Sequence, residues 1–191
     1  MVSRKDGKRS ASGTPEPPAQ PGIERARPGW PTLIPQRLAF MLSTARVEQL
    51  QFSRAEVRNY WTKAVRKARD AKLRGQSTDT ALDCAYDAVR LACTALLAAH
   101  HIRTKGGGHH EATFAAAASL GLPGCDELEA DSTAVRASRH DTDYSPDFAS
   151  KADVLHATEW MHASLPLLCA ALISVDAEMG PFLEASPPSG T

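Results

Sequence analysis

The sequence lacks an excess of charge of either sign, because 22 lysines and arginines balance 22 aspartates and glutamates over 191 residues. A chain without net charge does not attract nucleic acid as a whole. Any attraction to a polyanion must therefore come from local segregation of charge.

Paired cysteines and long apolar runs are also missing. The four cysteines lie far apart with no C-x-x-C pair, which is typical of a reduced protein and not of a disulfide scaffold. No uninterrupted apolar run reaches the roughly 18 residues that a membrane span needs. The basic residues near the start are not followed by the apolar stretch of a secretory signal. We therefore expect a cytoplasmic protein that does not enter a membrane.

Composition divides the chain into three parts. Residues 1–31 consist largely of Pro, Gly, Ser, Ala and charged residues, which predicts a disordered tail because little of it can be buried. Residues 179–191 turn again to Ser, Pro and Gly, which predicts a flexible C-terminal tail. The region 32–178 is left for one helical domain.

Helical periodicity fills this middle region, and no stretch alternates as a β-strand does. The predicted helices cover about residues 36–50, 53–73, 78–102, 109–120, 126–140 and 145–175. Ser53 and Glu56 have the spacing of a capping box, and Pro166 should bend the last helix. The expected fold is an all-α, up-and-down bundle of about five to six helices.

Arg136 to Tyr144 form the segment with the most concentrated chemistry. It places two guanidiniums, an imidazole, two carboxylates and a phenol at the end of the fifth predicted helix. Cationic donors beside a group that titrates near neutral pH can hold a phosphate and move a proton. The same residues also fit a solvated helix terminus, in which Arg139 pairs with Asp143 four residues further on.

Basic residues in the second helix form another candidate. They are Arg54, Arg58, Lys63, Arg66, Lys67, Arg69, Lys72 and Arg74. Such a row can follow a phosphate backbone, with an affinity that falls as salt rises. It is equally typical of the solvated face of an amphipathic helix. The region 126–159 leans acidic, so the two surfaces could instead meet within the bundle or across a dimer.

The seven histidines do not complete a metal site in the sequence. Glu159 and His162 form one Glu-x-x-His pair, whereas di-iron bundles need that pair on two helices together with further glutamates. No zinc spacing is complete. We therefore expect no metal and no cofactor, with a metal-dependent bundle as a minor alternative.

The order of the elements is a further signal. A basic helix leads into an alanine-rich helix, a glycine loop with His109 and His110 opens a short helix, and Arg139 and Tyr144 precede a long closing helix. Over residues 50–178 this order resembles the HEPN superfamily. The resemblance implies a helical bundle that works in RNA processing, defence or toxin–antitoxin systems. Many members are metal-independent ribonucleases whose site is shared by two protomers.

Under this resemblance, Arg139 is the motif arginine, His140 is the polar residue after it, and Tyr144 stands where active members have a histidine. RNA cleavage of this type uses the 2′-hydroxyl as nucleophile. Arg139, aided by Arg136, would stabilise the phosphorane, and His140 would act as base or acid. Tyr144 could serve only as a proton donor, because the reference pKa of tyrosine is about 10.

Helical spacing limits how these residues can meet. Arg136 and His140 are four residues apart and share a helix face, whereas Tyr144 can approach Arg139 only if the chain leaves the helix near Asp141. The sequence thus predicts a homodimeric HEPN-like protein that binds RNA or cleaves it as a metal-independent endoribonuclease in a stress, defence or toxin–antitoxin setting. The alternative is a non-catalytic HEPN-like interaction module that dimerises and binds a protein or nucleotide partner. Within this family, a nucleotidyltransferase-type partner could modify Tyr144.

Overall fold

The computed structural model describes residues 35–123, 125–144 and 148–184, without the side chains of Asp126, residues 140–144 and Glu184. The predicted N-terminal tail lies outside these residues. The fold is an all-α bundle, as the helical periodicity predicts. It also contains one short two-stranded sheet, which the periodicity does not predict. Its elements are α1 (Gln36–Ser43), β1 (Val47–Gln49), α2 (Arg54–Asp70), α3 (Thr78–Ala99), β2 (Ile102–Thr104), α4 (His109–Ala118), α5 (Asp126–Tyr144), α6 (Lys151–Val175), a 3-10 turn (Ala177–Met179) and α7 (Gly180–Glu184).

Helix α3 is the centre of the bundle, and α2, α4, α5 and α6 all pack on it. Its buried residues surround most of the helix, and many are alanines, which let neighbouring helices approach closely. They are Ala81, Leu82, Cys84, Ala85, Tyr86, Ala88, Val89, Ala92, Cys93, Ala95, Leu96, Leu97 and Ala98. A helix that is apolar on most of its circumference is stable only when other helices cover it.

Serine side chains fix the starts of α2, α3 and α6. Ser53 and Glu56 form the predicted capping box of α2, and the Ser77 hydroxyl accepts the Thr80 N–H at the start of α3. Ser150 forms a second capping box with Asp153. The last long helix therefore begins at Lys151 and not at the predicted Ser145, and residues 145–147 lie outside the described residues.

The first predicted helix is too long, and the expectation of no strands is wrong. Helix α1 ends at Ser43, and Ala45 has a left-handed φ of 53° that turns the chain away. Strand β1 then pairs antiparallel with β2, with Val47 opposite Thr104. A strand of three residues is too short to display a period of two, which is why the pattern does not reveal it.

A second, smaller core lies beside the main one, under α1, the two strands and α4. Its buried members are Leu38, Met41, Val47, Leu97, Ile102, Ala112, Ala115 and Ala116. Leu97 belongs to α3, so this small core is attached to the central helix near that helix's C-terminal end.

Helix α6 closes the bundle against α3. Among the described helices it is the one that is long and apolar enough to cross a membrane, with a window of mean hydropathy 1.2 that is 39% buried. The core helix of a soluble protein passes the same test. Pro166 lies inside α6, which continues past it to Val175. The helical region extends beyond residue 178, because α7 follows it. Met179 and Leu183 are each 1% exposed, so this part of the chain packs on the bundle.

Candidate functional site

Arg139 lies beside Tyr86, where α3 and α5 meet. Its guanidinium carbon is 5.3 Å from the centre of the Tyr86 ring, which is a cation–π distance. The Arg139 Nε donates a hydrogen bond to Asp83 Oδ1 at 2.5 Å. Asp83 and Tyr86 are three residues apart on α3, so one face of that helix supplies both the charge and the ring that position Arg139.

Arg136 is held in a similar way by α4. Its Nη1 donates to Glu111 Oε2 at 2.7 Å, and this contact lowers the pKa of the Glu111 carboxyl. Arg136 and Arg139 therefore both contact carboxylates of the same chain, each from a different helix. This is the arrangement expected of ion pairs that join helices, and a phosphate would have to compete with these carboxylates.

Tyr86 is the centre of an aromatic cluster. Its ring centre is 5.4 Å from that of Phe114 and 6.3 Å from that of Trp160, and its side chain is almost fully buried. Burial raises the pKa of the Tyr86 phenol, and the nearby Arg139 opposes part of this rise. The phenol therefore keeps its proton at neutral pH, and Tyr86 acts as a surface against which Arg139 stacks.

His110 is the histidine that the structure brings to this cluster. Its ring centre is 6.3 Å from that of Tyr86, at the start of α4. Burial, reinforced by the charge of Arg90, lowers the pKa of His110 to about 4. The imidazole is thus neutral at physiological pH and can accept a proton, although a base with so low a pKa binds it weakly.

His140 and Tyr144 belong to the predicted site, but their side chains lie outside the described residues. The backbone of α5 nevertheless continues to Tyr144, so the predicted end of the helix near His140 is wrong. The chain does not leave the helix at Asp141. Arg139 and Tyr144 are therefore five positions apart along one continuous helix.

The α3 residues around the arginines were not among the residues predicted from the sequence. Asp83, Asp87 and Arg90 line one side of α3, and Arg90 Nη2 contacts Asp87 Oδ1 at 2.9 Å. Their spacing of four and three residues places these charges on one side of an otherwise apolar helix, and this pattern could have indicated them in the sequence. Charges at such positions on a buried helix need partners, and the nearby arginines of α5 supply one for Asp83.

The basic residues of α2 and of the turn that follows it separate into two groups. Arg54 pairs with Asp176 and Glu178, Lys67 Nζ is 3.8 Å from Asp87 Oδ2, and the Arg58 guanidinium lies 5.2 Å from the centre of the Phe182 ring. The second group is exposed, and no carboxylate of the described residues forms an ion pair with it. We call this group the basic surface; it consists of Lys63, Arg66, Arg69, Lys72 and Arg74.

Within the described part of the chain, no group of three or more His, Cys, Asp or Glu side chains could hold a metal ion. Glu159 and His162, the pair that the sequence singled out, both lie on the exposed side of α6. Comparison of the chain with protein-family models, with curated proteins and with solved structures gave no match.

Proposed function

We propose that this chain is an HEPN-like module that binds RNA through the basic surface, without cleaving it. The observation that supports binding is the contrast between two sets of cations. Arg136 and Arg139 already contact Glu111 and Asp83, whereas the five residues of the basic surface have no ion-pair partner among the described residues. Cations without an ion-pair partner can contact phosphates without first breaking an ion pair, and Lys63 Nζ additionally lies 5.8 Å from the centre of the Tyr60 ring.

The geometry of α2 favours an extended polyanion. Lys63, Arg66, Arg69 and Lys72 follow one another at intervals of three residues along the exposed side of the helix and its C-terminal end. Each residue adds about 1.5 Å along a helix, so Lys63, Arg66 and Arg69, which lie within α2, are about 4.5 Å apart along its axis. Five phosphate contacts to a single strand give a salt dependence of log K on log salt of about −3.5.

Reversing two charges at the middle of the basic surface tests this proposal. We expect Arg66→Glu combined with Arg69→Glu to lower the affinity for a fluorescently labelled single-stranded RNA and to reduce the salt slope by about 1.4. The matched control is Arg46→Glu combined with Lys151→Glu, which makes the same change in net charge at two exposed sites elsewhere. Fluorescence anisotropy across a salt series gives both quantities. Equal affinities and slopes for the two double variants would reject the basic surface as the RNA site.

Cleavage is a second candidate function, and the neutral imidazole of His110 next to the Tyr86–Arg139 contact is what favours it. In this case Arg139 would exchange Asp83 for a phosphate oxygen. Incubation of labelled RNA with the protein in EDTA tests it, with Arg139→Ala and His110→Ala as variants. Cleavage by the wild type that both variants lose would support a ribonuclease. If the RNA stays intact, the cleavage candidate is rejected and RNA binding is the remaining function.

A homodimer is expected of both candidates, and the composite site of the HEPN family requires one because it is shared by two protomers. Light scattering of the wild type measures the mass in solution. A monomer would contradict the composite catalytic site and the expected homodimer, whereas RNA binding by that monomer would still support the basic surface. A non-catalytic module could also bind a protein, and a nucleotidyltransferase-type partner that modifies Tyr144 remains part of this alternative.

A further inference from the structure

A cleft of about 380 Å³ opens at the end of the bundle opposite the basic surface. The start of α2, the end of α3 and the end of α6 surround it. Three polar side chains line it, those of Arg54, His101 and Asp176, together with six apolar ones that include Phe52, Ala99 and Val175. This volume lies at the lower end of the range for small-molecule sites, about 300–1,000 Å³. The lining is mostly apolar, with three polar side chains, which is also typical of such sites.

His101 has an unusual backbone conformation at the edge of this cleft. It follows the end of α3 with a left-handed φ of 59°, at a position where glycine would be unstrained. Its Nδ1 accepts a hydrogen bond from the Phe52 N–H at 3.2 Å. A neutral imidazole whose Nδ1 accepts a hydrogen bond carries its proton on Nε2. The backbone therefore fixes the tautomer of His101 and leaves Nε2–H as a donor.

The other two polar side chains exclude an anion from the cleft. Arg54 Nε contacts Asp176 Oδ2 at 2.6 Å, and its Nη1 contacts Glu178 Oε2 at 2.5 Å. One guanidinium thus faces two carboxylates, so a phosphate would meet a net negative charge. These contacts use some of the five N–H groups of Arg54, and each carboxylate oxygen can accept more than one hydrogen bond.

A neutral ligand with donors and acceptors on one edge and a flat apolar face fits this lining. His101 can donate through its Nε2–H, Asp176 can accept, and the Phe52 ring is part of the apolar lining against which a flat ligand would stack. Nucleobases combine these features, and bases taken out of a stack are bound in proteins by aromatic rings and by edge hydrogen bonds. We propose that the cleft binds a single unstacked nucleobase.

The base can come from a free nucleoside or from the RNA of the proposed function, and only the second source rests on that function. Arg54 and Arg66 are twelve residues apart on α2, which corresponds to about 18 Å along the helix axis. One RNA strand that lies along α2 would therefore contact the basic surface with its phosphates and insert a base at the other end.

Titration of the ¹⁵N-labelled protein with adenosine and with uridine tests the cleft directly. We expect saturable shifts of the amide signals of Ala99 and Val175 and of the His101 Nε2–H, which is visible in histidine-optimised ¹⁵N spectra. His101→Gly removes the ring at a position where glycine is unstrained, and Ala99→Leu fills the cleft from a half-buried helical position. Each should weaken nucleoside binding at least about tenfold. The matched control is His156→Gly, on the exposed face of α6.

The outcomes separate the cleft from the basic surface. Wild-type spectra unchanged by both nucleosides, or His101→Gly and Ala99→Leu binding as well as wild type, would overturn the proposal. If these variants lose nucleoside binding and also bind single-stranded RNA more weakly, the base comes from RNA. If RNA binding is unchanged while nucleoside binding is lost, the cleft binds a free nucleoside. Failure of the proposed function appears separately, in the charge-reversal variants of the basic surface.

Discussion

Mild acid should destabilise the fold through His110. Burial, and then the charge of Arg90, lowers the pKa of this imidazole from 6.5 to about 4. His109 and Arg139 oppose its protonation as well, and Asp87 favours it. Between these two pH values His110 binds a proton in the unfolded chain but not in the folded chain. The free energy of unfolding therefore falls as the pH decreases from 6.5 towards 4.

The magnitude follows from the size of the shift. One pKa unit corresponds to about 1.4 kcal/mol, so the whole shift sets an upper limit of about 3 kcal/mol. The imidazole is only half-buried, and water screens part of the penalty. We expect His110 to account for about 1–2 kcal/mol of the stability lost.

Urea unfolding followed by circular dichroism at a series of pH values measures this loss. His110→Gln removes the titrating group, so this variant should lose about 1–2 kcal/mol less than wild type over the same range. Burial and Lys72 also lower the pKa of His162, and His162→Gln measures that part separately. Glu56 and Glu111 have pKa values lowered from 4.5, so the stability that depends on their ionised carboxylates is lost at lower pH. Parallel curves for wild type and His110→Gln would show that the imidazole is not buried among these charges.

Two further substitutions test the packing and the backbone. Ala45→Gly should raise the free energy of unfolding by about 0.5–1 kcal/mol, because Ala45 is exposed and has a φ of 53° that glycine adopts without strain. A lower free energy of unfolding for Ala45→Gly, measured by urea denaturation, would contradict this conformation. Phe114→Ala should lower stability by about 3–5 kcal/mol, because Phe114 is 1% exposed and contacts Tyr86 and Trp160. A loss below about 1 kcal/mol would show that the aromatic cluster is loosely packed.

The main helices could be predicted because their signals are local. Ser53 and Glu56 lie three residues apart, and this spacing alone indicates the start of α2. The two strands depend on a partner that is distant in sequence: Arg103 contacts Glu48 across 55 positions. The burial of Leu183 likewise depends on how the chain returns to the bundle after α6, and a Gly-Pro pair in the sequence looks the same whether or not the chain returns.

The same distinction between local signals and contacts distant in sequence applies to the site residues. Arg136 and Arg139 could be selected from the sequence because their charges cluster locally. Their partners could not be identified, because Asp83 is 56 positions from Arg139 and lies on another helix. The strained φ of His101 could not be predicted either, since His100-His101 at a helix end gives no sign of which residue takes the left-handed conformation.

The small core under α1 gives the N-terminal part of the described chain its own local stability. Only a few apolar side chains hold α1 to the strands and α4, none of them from α2, α5 or α6, and the Arg37–Glu129 ion pair joins α1 to α5. Amide protons of α1 should therefore exchange with solvent through a local opening, while those in the middle of α3 exchange only when the whole bundle unfolds. A partner that binds α1 would slow this exchange without changing the bundle beneath it.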